Sequence, residues 1–287
     1  MRYLCVTVTE ASPEGERNLE RLLDSLDRQG VEVDVVLVTR GCTGRQTRSV
    51  RGRVLVQSLP APRQIALSVA RNLALGHARR TELLDKADIV AFPDDDCRYP
   101  DGLLSRVSRH LADSQCDCVT GAYGPSLDAV DRRRFPLRDA PLTPGQIMRN
   151  ASSGSMFFTR RVVRAIGDFD ARLGLGAAYG AGEDADYLLR ALTLGFAGVY
   201  RPFDVVVEHP YKAYRPVEYY LGNVAVLAKH ARGGVGTRLL LARRLLGGVL
   251  LALRSQIPFA HLGRAVASSF ALLHPRHQRP EAPDATP

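Results

Sequence analysis

The chain has 287 residues, and 45% of them are hydrophobic, so it can bury a sizeable core and is not a disordered protein. Its net charge of +9 is unevenly distributed, because residues 211–287 hold 11 Lys and Arg against 3 Asp and Glu, or +8, and the first 210 residues hold only +1. A near-neutral body with a basic tail predicts that the tail meets an anionic surface.

The first 113 residues alternate between short apolar runs and amphipathic segments. Four of the apolar runs are predicted to be strands, at residues 3–8, 33–39, 53–57 and 89–92. Three segments between or after them are predicted to be helices, at residues 12–30, 64–80 and 101–113. This alternation indicates an α/β fold with a mainly parallel sheet that helices cover on both faces.

The predicted helices carry recognisable end signals. Ser12 can cap the first helix, Pro13 fits its first turn, and Gly30 ends it. Asp101 can cap the third helix in the same way. Four residues of the second helix lie along one side: Ile65, Val69, Leu73 and Gly76.

The remaining sequence suggests two regions. Residues 125–150, with Pro and Arg-rich turns, are predicted to be an insertion or a mobile loop, and from Pro216 the chain is predicted to be helical throughout. We therefore expect an α/β domain over 1–212 and a basic helical region over 213–287. The longest uncharged run of that region, residues 245–253, has nine residues, whereas a bilayer span needs about 20. No transmembrane helix is predicted.

Three consecutive carboxylates, Asp94, Asp95 and Asp96, follow the fourth predicted strand. Ligands of open α/β sheets bind outside the carboxyl ends of the strands. A carboxylate cluster at that place is costly unless a cation neutralises it, and a divalent cation held by few carboxylates usually also holds phosphate oxygens. The segment therefore favours a nucleotide-diphosphate ligand over the alternative, a solvated acidic turn.

A glycine-rich segment precedes a second acidic group. Four glycines make a tightly turned or flexible loop: Gly174, Gly176, Gly180 and Gly182. Glu183 and Asp184 then open a helix, and Asp186 follows one turn in. The segment predicts a general base on a rigid helix end beside a mobile loop. The alternative is that these acids only complement the helix dipole.

A single histidine, His209, ends the β-branched run VVVEHPY. It is either a surface or core residue or a metal ligand. A lone histidine after a strand is more often a surface or core residue, but the acidic cluster upstream strengthens the ligand interpretation, because imidazole and carboxylate groups can share one cation.

Together these motifs resemble the family 2 glycosyltransferases, which are inverting enzymes with the GT-A fold. The matching segments run in family order from Tyr3 to about His209. They read VTVTEAS, SVARNLALGHA, FPDDDCRYP, SSGSMFFTRRVVRAIGDFD and LGLGAAYGAGEDADYLLRAL. The resemblance implies a Rossmann-like GT-A domain with a helical C-terminal extension.

The resemblance also assigns roles to the matching residues. Asp96, the last residue of the D-x-D element, would bind Mg²⁺ or Mn²⁺, and Asp94 would face the ribose or share the metal shell. Asp184 would be the general base that deprotonates an acceptor hydroxyl. His209 is similar to a late histidine that can complete the metal site. Two neighbours of the base would lie on the acceptor side: Gly182 and Glu183.

Six residues would lie on the nucleotide side: Thr9, Glu10, Thr39, Arg63, Arg71 and Asp95. The two arginines would meet phosphate or pair with the carboxylates, and the first two residues lie at the end of the first strand. The chain departs from the family at VTRGCTG, where Thr39 and Arg40 replace an acidic pair of which one Asp reads the base. The donor nucleotide therefore stays open among UDP, dTDP and GDP.

The implied activity is inverting transfer of a hexosyl or deoxyhexosyl group from a nucleotide sugar to a hydroxyl of a glycan or lipid-linked glycan, as in polysaccharide biosynthesis. Two other classes stay open. One is a sugar-phosphate nucleotidyltransferase, although such enzymes more often have a Gly-rich basic loop after the first strand, where this chain has the acidic TEASPEGER. The other is a non-catalytic nucleotide- or glycan-binding protein of the same fold.

The tail has two interpretations. In one, its leucines enter the lipid boundary and its arginines meet anionic head groups. The arginines concerned are Arg238, Arg243, Arg244, Arg254 and Arg264. In the other, the tail is a helical cap that packs on the catalytic domain or on a second copy in a homodimer. Nucleic acid is not a predicted partner, because the basic residues lack interleaved aromatics.

The five cysteines are odd in number, scattered, and form no C-x-x-C pair, which suits a reducing compartment. The opening MRYLCVTVTE becomes polar too soon for a signal peptide. We therefore expect a cytoplasmic protein, placed peripherally on the inner face of the membrane if the tail binds lipid.

Overall fold

A computed structural model of the chain describes residues 1–113, 116–136, 138–212 and 215–273. The strands are β1 (Arg2–Glu10), β2 (Glu32–Arg40), β3 (Thr47–Arg51), β4 (Val54–Ala61), β5 (Ile89–Ala91), β6 (Cys118–Thr120), β7 (Ala122–Gly124), β8 (Ala140–Pro141), β9 (Met156–Thr159), β10 (Gly198–Tyr200) and β11 (Val206–Glu208). The α-helices are α1 (Pro13–Asp27), α2 (Leu67–Arg80), α3 (Leu83–Lys86), α4 (Leu103–Asp113), α5 (Pro144–Asn150), α6 (Arg160–Ile166), α7 (Glu183–Thr193), α8 (Pro216–His230), α9 (Val235–Leu253) and α10 (Phe259–Leu273).

Nine of these strands form the main sheet, in the order β3-β4-β2-β1-β5-β9-β6-β10-β8. β4, β2, β1, β5, β6 and β10 run in one direction, whereas β3, β9 and β8 run in the other. β7 and β11 pair separately and in parallel. The sheet is therefore mixed but mostly parallel, and the predicted α/β class is confirmed.

β1 is apolar along its length because helices cover both faces of the sheet. Leu4 belongs to the core cluster that includes Ala74 of α2, while Tyr3 belongs to the opposite cluster with Leu22 of α1. The Tyr3 hydroxyl also donates to the Leu104 carbonyl of α4 at 2.6 Å. This two-sided packing fixes the central strands, and with them the carboxyl edge of the sheet.

α1 begins as its sequence predicts. Ser12 Oγ accepts a hydrogen bond from the Gly15 N–H at 3.1 Å, and Pro13 is the first helical residue. α4 begins at Leu103, later than predicted. The carboxylate of Asp101, which was expected to cap this helix, pairs with Arg28 Nε at 3.3 Å.

α2 starts at Leu67 and buries a different side from the predicted line of larger apolar residues. Leu73 is 44% exposed, whereas Ala70, Arg71 and Ala74 are buried. α2 lies against β1 and β2, and small side chains allow that close approach. Arg71 can be buried with them because carboxylates surround its guanidinium.

Two regions contain more structure than the sequence predicted. β4 continues to Ala61, and β3, whose five residues are all exposed, pairs with it in antiparallel fashion. Residues 125–150, predicted to be an insertion or a mobile loop, contain β8 and α5. Thr143 Oγ1 caps α5 by accepting from the Gln146 N–H at 3.3 Å, and Ile147 is buried, so this segment packs as part of the domain.

The helical prediction after Pro216 is confirmed for the described residues up to 273. α8 joins two cores, because Val226 packs in the sheet domain and Tyr220 packs with α9 and α10. Gly248 of α9 lies against the Tyr220 ring, where a side chain would collide. Across the described part of the chain, none of the helices combines the length and apolarity that a bilayer crossing requires.

Candidate active site

The acidic segment after β5 forms a tight turn at the carboxyl edge of the sheet. The Asp94 carbonyl accepts a hydrogen bond from the Cys97 N–H at 3.1 Å, which closes the turn. Thr9, near the end of β1, donates from Oγ1 to Asp95 Oδ2 at 2.5 Å. Asp95 is thus tied to the sheet, whereas Asp94 and Asp96 face the cations described next.

His209 reaches this turn through a short backbone bridge. The Arg98 N–H donates to the Glu208 carbonyl at 2.8 Å, and the Glu208 N–H donates to the Arg98 carbonyl at 3.0 Å. His209 Nε2 consequently lies 3.2 Å from Asp96 Oδ1 and 3.4 Å from Asp94 Oδ2. Among the described residues, no aligned hydrogen bond reaches either ring nitrogen or Asp96 Oδ1, although all three atoms are buried.

Arg71 of α2 joins the turn to α7. Its side chain is 2% exposed, and Nη2 donates to Asp94 Oδ1 at 3.0 Å. Nη1 donates to Asp184 Oδ1 at 3.1 Å and lies 3.8 Å from Glu183 Oε1. The guanidinium also lies over the Phe169 ring, 5.3 Å from its centroid. Of the two expectations for Arg71, the structure shows the pairing with carboxylates, and the phosphate contact stays a prediction.

Two further residues complete the site and were not predicted. The Ser153 N–H donates to Asp184 Oδ2 at 2.8 Å, and Ser153 Oγ donates to Asp94 Oδ1 at 3.4 Å. Lys212 Nζ lies 3.4 Å from Asp94 Oδ2 and 3.5 Å from Asp96 Oδ2. The sequence offered only weak signals for these two residues. Ser153 contacts Asp184 through its backbone N–H, which any residue could supply, and Lys212 is one polar residue among several after His209.

Neighbouring cations keep the two outer carboxylates ionised. Burial by itself would raise the pKa of Asp94 and of Asp96, but His209 and Lys212 outweigh it and lower both, with Arg71 adding to the effect at Asp94. Burial would likewise lower the pKa of His209, but the two carboxylates raise it to about 9. A divalent cation that entered here would take over the charge balance that these side chains now provide.

The two carboxylates at the start of α7, Glu183 and Asp184, have raised pKa values. Burial raises the pKa of both, repulsion from Asp184 adds to the shift at Glu183, and Arg71 opposes it. The pKa of Glu183 rises to about 8, because burial and the nearby charge of Asp184 favour its protonated form. Asp184 remains reachable, with 19% of its side chain exposed. A reachable carboxylate with a raised pKa is suited to accept a proton near neutral pH.

The loop before α7 is tightly turned, as predicted. Four glycines have positive φ angles: Gly174 (+98°), Gly176 (+82°), Gly180 (+68°) and Gly182 (+97°). Gly182 lies so close to Val226 of α8 that a side chain would collide. Ser68 Oγ of α2 donates to the Leu173 carbonyl at 2.5 Å, which anchors the start of the loop. The start of α7 is therefore held by both α2 and α8.

Asp186, one turn into α7, does not join the site. It is fully buried, and its carboxylate contacts Arg190 Nε at 3.0 Å, Lys229 Nζ at 2.8 Å and His230 Nε2 at 2.9 Å. Two of these partners belong to α8. Asp186 therefore fastens the C-terminal helices to α7.

Three of the predicted nucleotide-side residues, Thr9, Glu10 and Thr39, lie at neighbouring strand ends, where β1 and β2 are paired in register. Glu10 Oε1 pairs with Arg40 Nη2 at 2.5 Å, and Thr39 Oγ1 lies 3.3 Å from Ser58 Oγ. Arg63 is exposed. Arg40, which stands in place of an expected acidic residue, is thus accompanied by the carboxylate of Glu10.

The residues around His209 fit a divalent cation. A carboxylate oxygen of Asp96, the sulfur of Cys97 and a ring nitrogen of His209 lie within 4.8 Å of one another. His209 Nε2 and Asp96 Oδ1 are buried and, among the described residues, are held by their ion pair without an aligned hydrogen bond, so a cation could take up both atoms. Asp94 Oδ2 is close enough to share the shell.

No family model matches the chain, and neither does any curated protein. Solved structures do. The chain is similar to residues 1–349 of S. aureus TarS in complex with UDP-GlcNAc, with a TM-score of 0.69, 14% identity, and coverage of 96% of this chain and 82% of that one.

Two further solved structures are similar to this chain. The mannosyltransferase PcManGT from Pyrobaculum calidifontis, in complex with GDP-Man and Mn²⁺, gives a TM-score of 0.56 at 16% identity, covering 94% of this chain and 86% of that one. GalNAc-T7 with UDP, GalNAc and Mn²⁺ gives a TM-score of 0.50 at 14% identity, covering 79% of this chain and 47% of that one. At these identities the likeness establishes the fold, which is GT-A-like as predicted.

Proposed function

We propose that the protein is an inverting glycosyltransferase of the family 2 type, which moves a hexosyl or deoxyhexosyl group from a nucleotide-diphosphate donor to an acceptor hydroxyl. The observation that carries the proposal is the bridge made by Arg71. It holds Asp184, the candidate base, and Asp94, in the candidate diphosphate site, on one rigid unit at the carboxyl edge of the sheet. In-line displacement needs a base and a leaving-group site fixed relative to each other.

In this mechanism an Asp184 oxygen accepts the proton of the acceptor hydroxyl. The hydroxyl oxygen forms a bond to the anomeric carbon while the bond to the diphosphate oxygen breaks, and the electron pair leaves with the diphosphate. Attack opposite the leaving group inverts the anomeric configuration. Lys212 lies beside the carboxylate pair, where its ammonium can meet the developing charge.

The cation belongs to the leaving-group side of the site. Asp96 and His209 would hold it, with Asp94 in its shell. A bound Mg²⁺ or Mn²⁺ neutralises charge on the diphosphate oxygens. The Mn²⁺ in the similar PcManGT and GalNAc-T7 structures supports this assignment.

The similar structures also support a nucleotide-sugar donor, since TarS was solved in complex with UDP-GlcNAc and PcManGT in complex with GDP-Man. We place six residues on the nucleotide side: Thr9, Glu10, Thr39, Arg63, Arg71 and Asp95. Gly182 and Glu183 belong to the acceptor side because they adjoin the base. The pairing of Arg40 with Glu10 leaves the choice among UDP, dTDP and GDP to experiment.

A donor panel tests this function. Purified protein is incubated with UDP-, dTDP- and GDP-sugars, with and without Mn²⁺, and released nucleoside diphosphate is measured. We expect release from one nucleotide class, dependence on the cation, and loss of release in a folded Asp96→Ala variant. Failure to release diphosphate from any donor would contradict the proposal. Consumption of a nucleoside triphosphate with a sugar 1-phosphate would instead identify the nucleotidyltransferase alternative.

We further propose that α9 binds a membrane surface, because this helix presents an apolar stripe to solvent. Five exposed residues recur at helical spacing along it: Val235, Leu239, Leu246, Leu250 and Leu253. Arg243 and Arg254 are also exposed and flank the stripe. An apolar helix face bordered by arginines is suited to the interface of an anionic bilayer.

Three further arginines, Arg238, Arg244 and Arg264, contact the protein itself. Arg244 lies over the Tyr220 ring at 5.8 Å, Arg238 Nε donates to the Ala231 carbonyl at 3.0 Å, and Arg264 Nη2 donates to the Ala178 carbonyl at 3.1 Å. α9 thus acts as a cap through one side and meets lipid through the other. This would bring the site near a lipid-linked glycan acceptor, on the cytoplasmic face that five unpaired cysteines suit.

A further inference from the structure

The proposed mechanism does not use the thiol of Cys97, although this residue lies at the candidate cation site. Cys97 is fully buried, and the hydrogen bond from its N–H to the Asp94 carbonyl fixes it in the acidic turn. Its sulfur lies within 4.8 Å of ligand atoms of both Asp96 and His209. In a tetrahedral site, bonds of about 2.3 Å to sulfur and about 2.0 Å to nitrogen place two such ligands about 3.5 Å apart, so shifts of roughly 1 Å would let all three reach one cation.

His209 independently indicates a ligand at this place. The residue is 7% exposed, and within the described part of the chain neither ring nitrogen makes an aligned hydrogen bond. Buried polar groups are nearly always satisfied by a partner, an ordered water or an ion. Nε2 lies at ion-pair distance from Asp96 Oδ1 (3.2 Å) and Asp94 Oδ2 (3.4 Å), so a cation at this place would exchange these contacts for metal bonds.

We propose that Cys97 is a third protein ligand of the cation, and that its sulfur makes the site prefer Zn²⁺ or Co²⁺ to Mg²⁺. The inference rests on the proposed function for the location of the cation. Mg²⁺ favours oxygen ligands, whereas thiolate and imidazole ligands favour Zn²⁺ and similar ions. The thiol proton passes to solvent as the sulfur–metal bond forms. Cys97 would then join Asp96 and His209, while Asp94 stays close enough to share the shell.

Cobalt gives a direct test. Nucleotide-free protein is titrated with Co²⁺, and absorbance is followed in the near ultraviolet, where a thiolate bound to Co²⁺ produces a charge-transfer band. We expect the band in wild type and in Cys42→Ser, the control at a more accessible cysteine, and its loss in Cys97→Ser. Loss of outer-shell partners alone costs about 10–100-fold in metal affinity, so Cys97→Ser should weaken Zn²⁺ binding by at least about 100-fold. Its affinity for Mg²⁺ should change little.

A wild-type protein that binds Co²⁺ without this band would overturn the inference, as would a band that survives in Cys97→Ser. If Cys97→Ser does not fold, His209→Gln replaces it, and the band must weaken there. These outcomes are separable from the proposed function. If the protein releases diphosphate from a donor but shows no cobalt band, the proposed function is retained and the sulfur ligand is refuted. If it shows the band but releases no diphosphate, the sulfur ligand is retained and the proposed function is refuted.

Discussion

Arg71 and Asp184 are 113 positions apart in sequence, yet their side chains meet in a hydrogen bond of 3.1 Å. The same guanidinium holds Asp94 at 3.0 Å, so one buried cation of α2 connects the start of α7 to the acidic turn after β5. Without it, Asp184 would lose the cation that it pairs with, whereas Asp94 would keep His209 and Lys212. Arg71 therefore supports both the stability of the protein and the geometry of its site.

Replacing Arg71 by Met should destabilise the protein strongly. Removing one partner from a buried ion pair typically costs about 3–5 kcal/mol, because the remaining charge stays buried and uncompensated. Arg71→Lys keeps the charge but cannot contact both carboxylates in the same planar arrangement, so it should fall between Met and wild type. Urea unfolding measures the free energy of unfolding of each variant.

Arg79→Met provides the matched control on the same helix. Arg79 Nη1 pairs with Asp168 Oδ1 at 2.6 Å, but both side chains are substantially exposed, and such pairs contribute about 0–1 kcal/mol. Equal effects at Arg71 and Arg79 would show that burial of the Arg71 bridge has no energetic consequence.

Asp184→Asn should slow turnover by about 10²–10⁴-fold, since an amide cannot accept the hydroxyl proton as a carboxylate does. Donor binding, measured by calorimetry with a nucleoside diphosphate, should change little because the base acts on the acceptor. Asp168→Asn, at an exposed aspartate before α7, is the control and should keep its turnover. Near-normal turnover in Asp184→Asn would transfer the role to Glu183, because Asp186 is buried with α8.

Glu183 should make the stability of the protein depend on pH. Its pKa is about 8 in the folded chain against an ordinary value of 4.5, so the folded state retains a proton that the unfolded state loses. Its contribution is fully present below about pH 4.5, and the free energy of unfolding then falls as the pH rises toward about 8. Glu183→Gln should flatten this dependence in denaturant titrations at several pH values.

Glu16→Gln, on the exposed side of α1, is the control for that comparison. If the free energy of unfolding of wild type and of Glu183→Gln depends on pH in the same way between about pH 5 and 8, Glu183 titrates alike in the folded and unfolded states, and the prediction is contradicted.

The α9 stripe should bind anionic vesicles. Wild-type protein is expected to sediment with them at low salt and to be released at high salt, because screening weakens the arginine contacts. Leu246→Gln combined with Leu250→Gln removes apolar surface from positions that are 71% and 58% exposed, and should reduce sedimentation without unfolding. Leu194→Gln makes the same change at an exposed leucine that directly follows α7, and should sediment like wild type. Wild-type protein that stays in the supernatant would leave α9 as a cap alone.

Much of the sheet domain follows from sequence patterns. Continuous apolar runs mark β1, β2 and β5, because strands buried on both faces tolerate few polar residues. β3 gave no such signal, since all its residues are exposed. The buried side of α2 was also missed: alanines and an arginine occupy it, and an apolar pattern alone favours the larger Leu73.

The site was partly predictable for a similar reason. Asp94, Asp96, Asp184 and His209 stand at strand and helix ends, where spacing in the sequence points to one edge of the sheet, and the structure brings them together. Ser153 acts through its backbone N–H, which any residue could supply. The backbone bridge between Arg98 and Glu208 brings the segment of His209 and Lys212 to the turn that contains Cys97, and this tertiary contact has no sequence pattern.

The configuration of the released sugar tests the central claim most directly. Hydrolysis uses water in place of the acceptor, so it needs no knowledge of the natural acceptor. Proton NMR records the anomeric coupling constant of the first-formed sugar before the anomers equilibrate. If Asp184 activates attack from the side opposite the diphosphate, the sugar appears with the configuration opposite to that of the donor, and Asp184→Asn forms it far more slowly. A first-formed sugar that retains the donor's configuration would contradict the account.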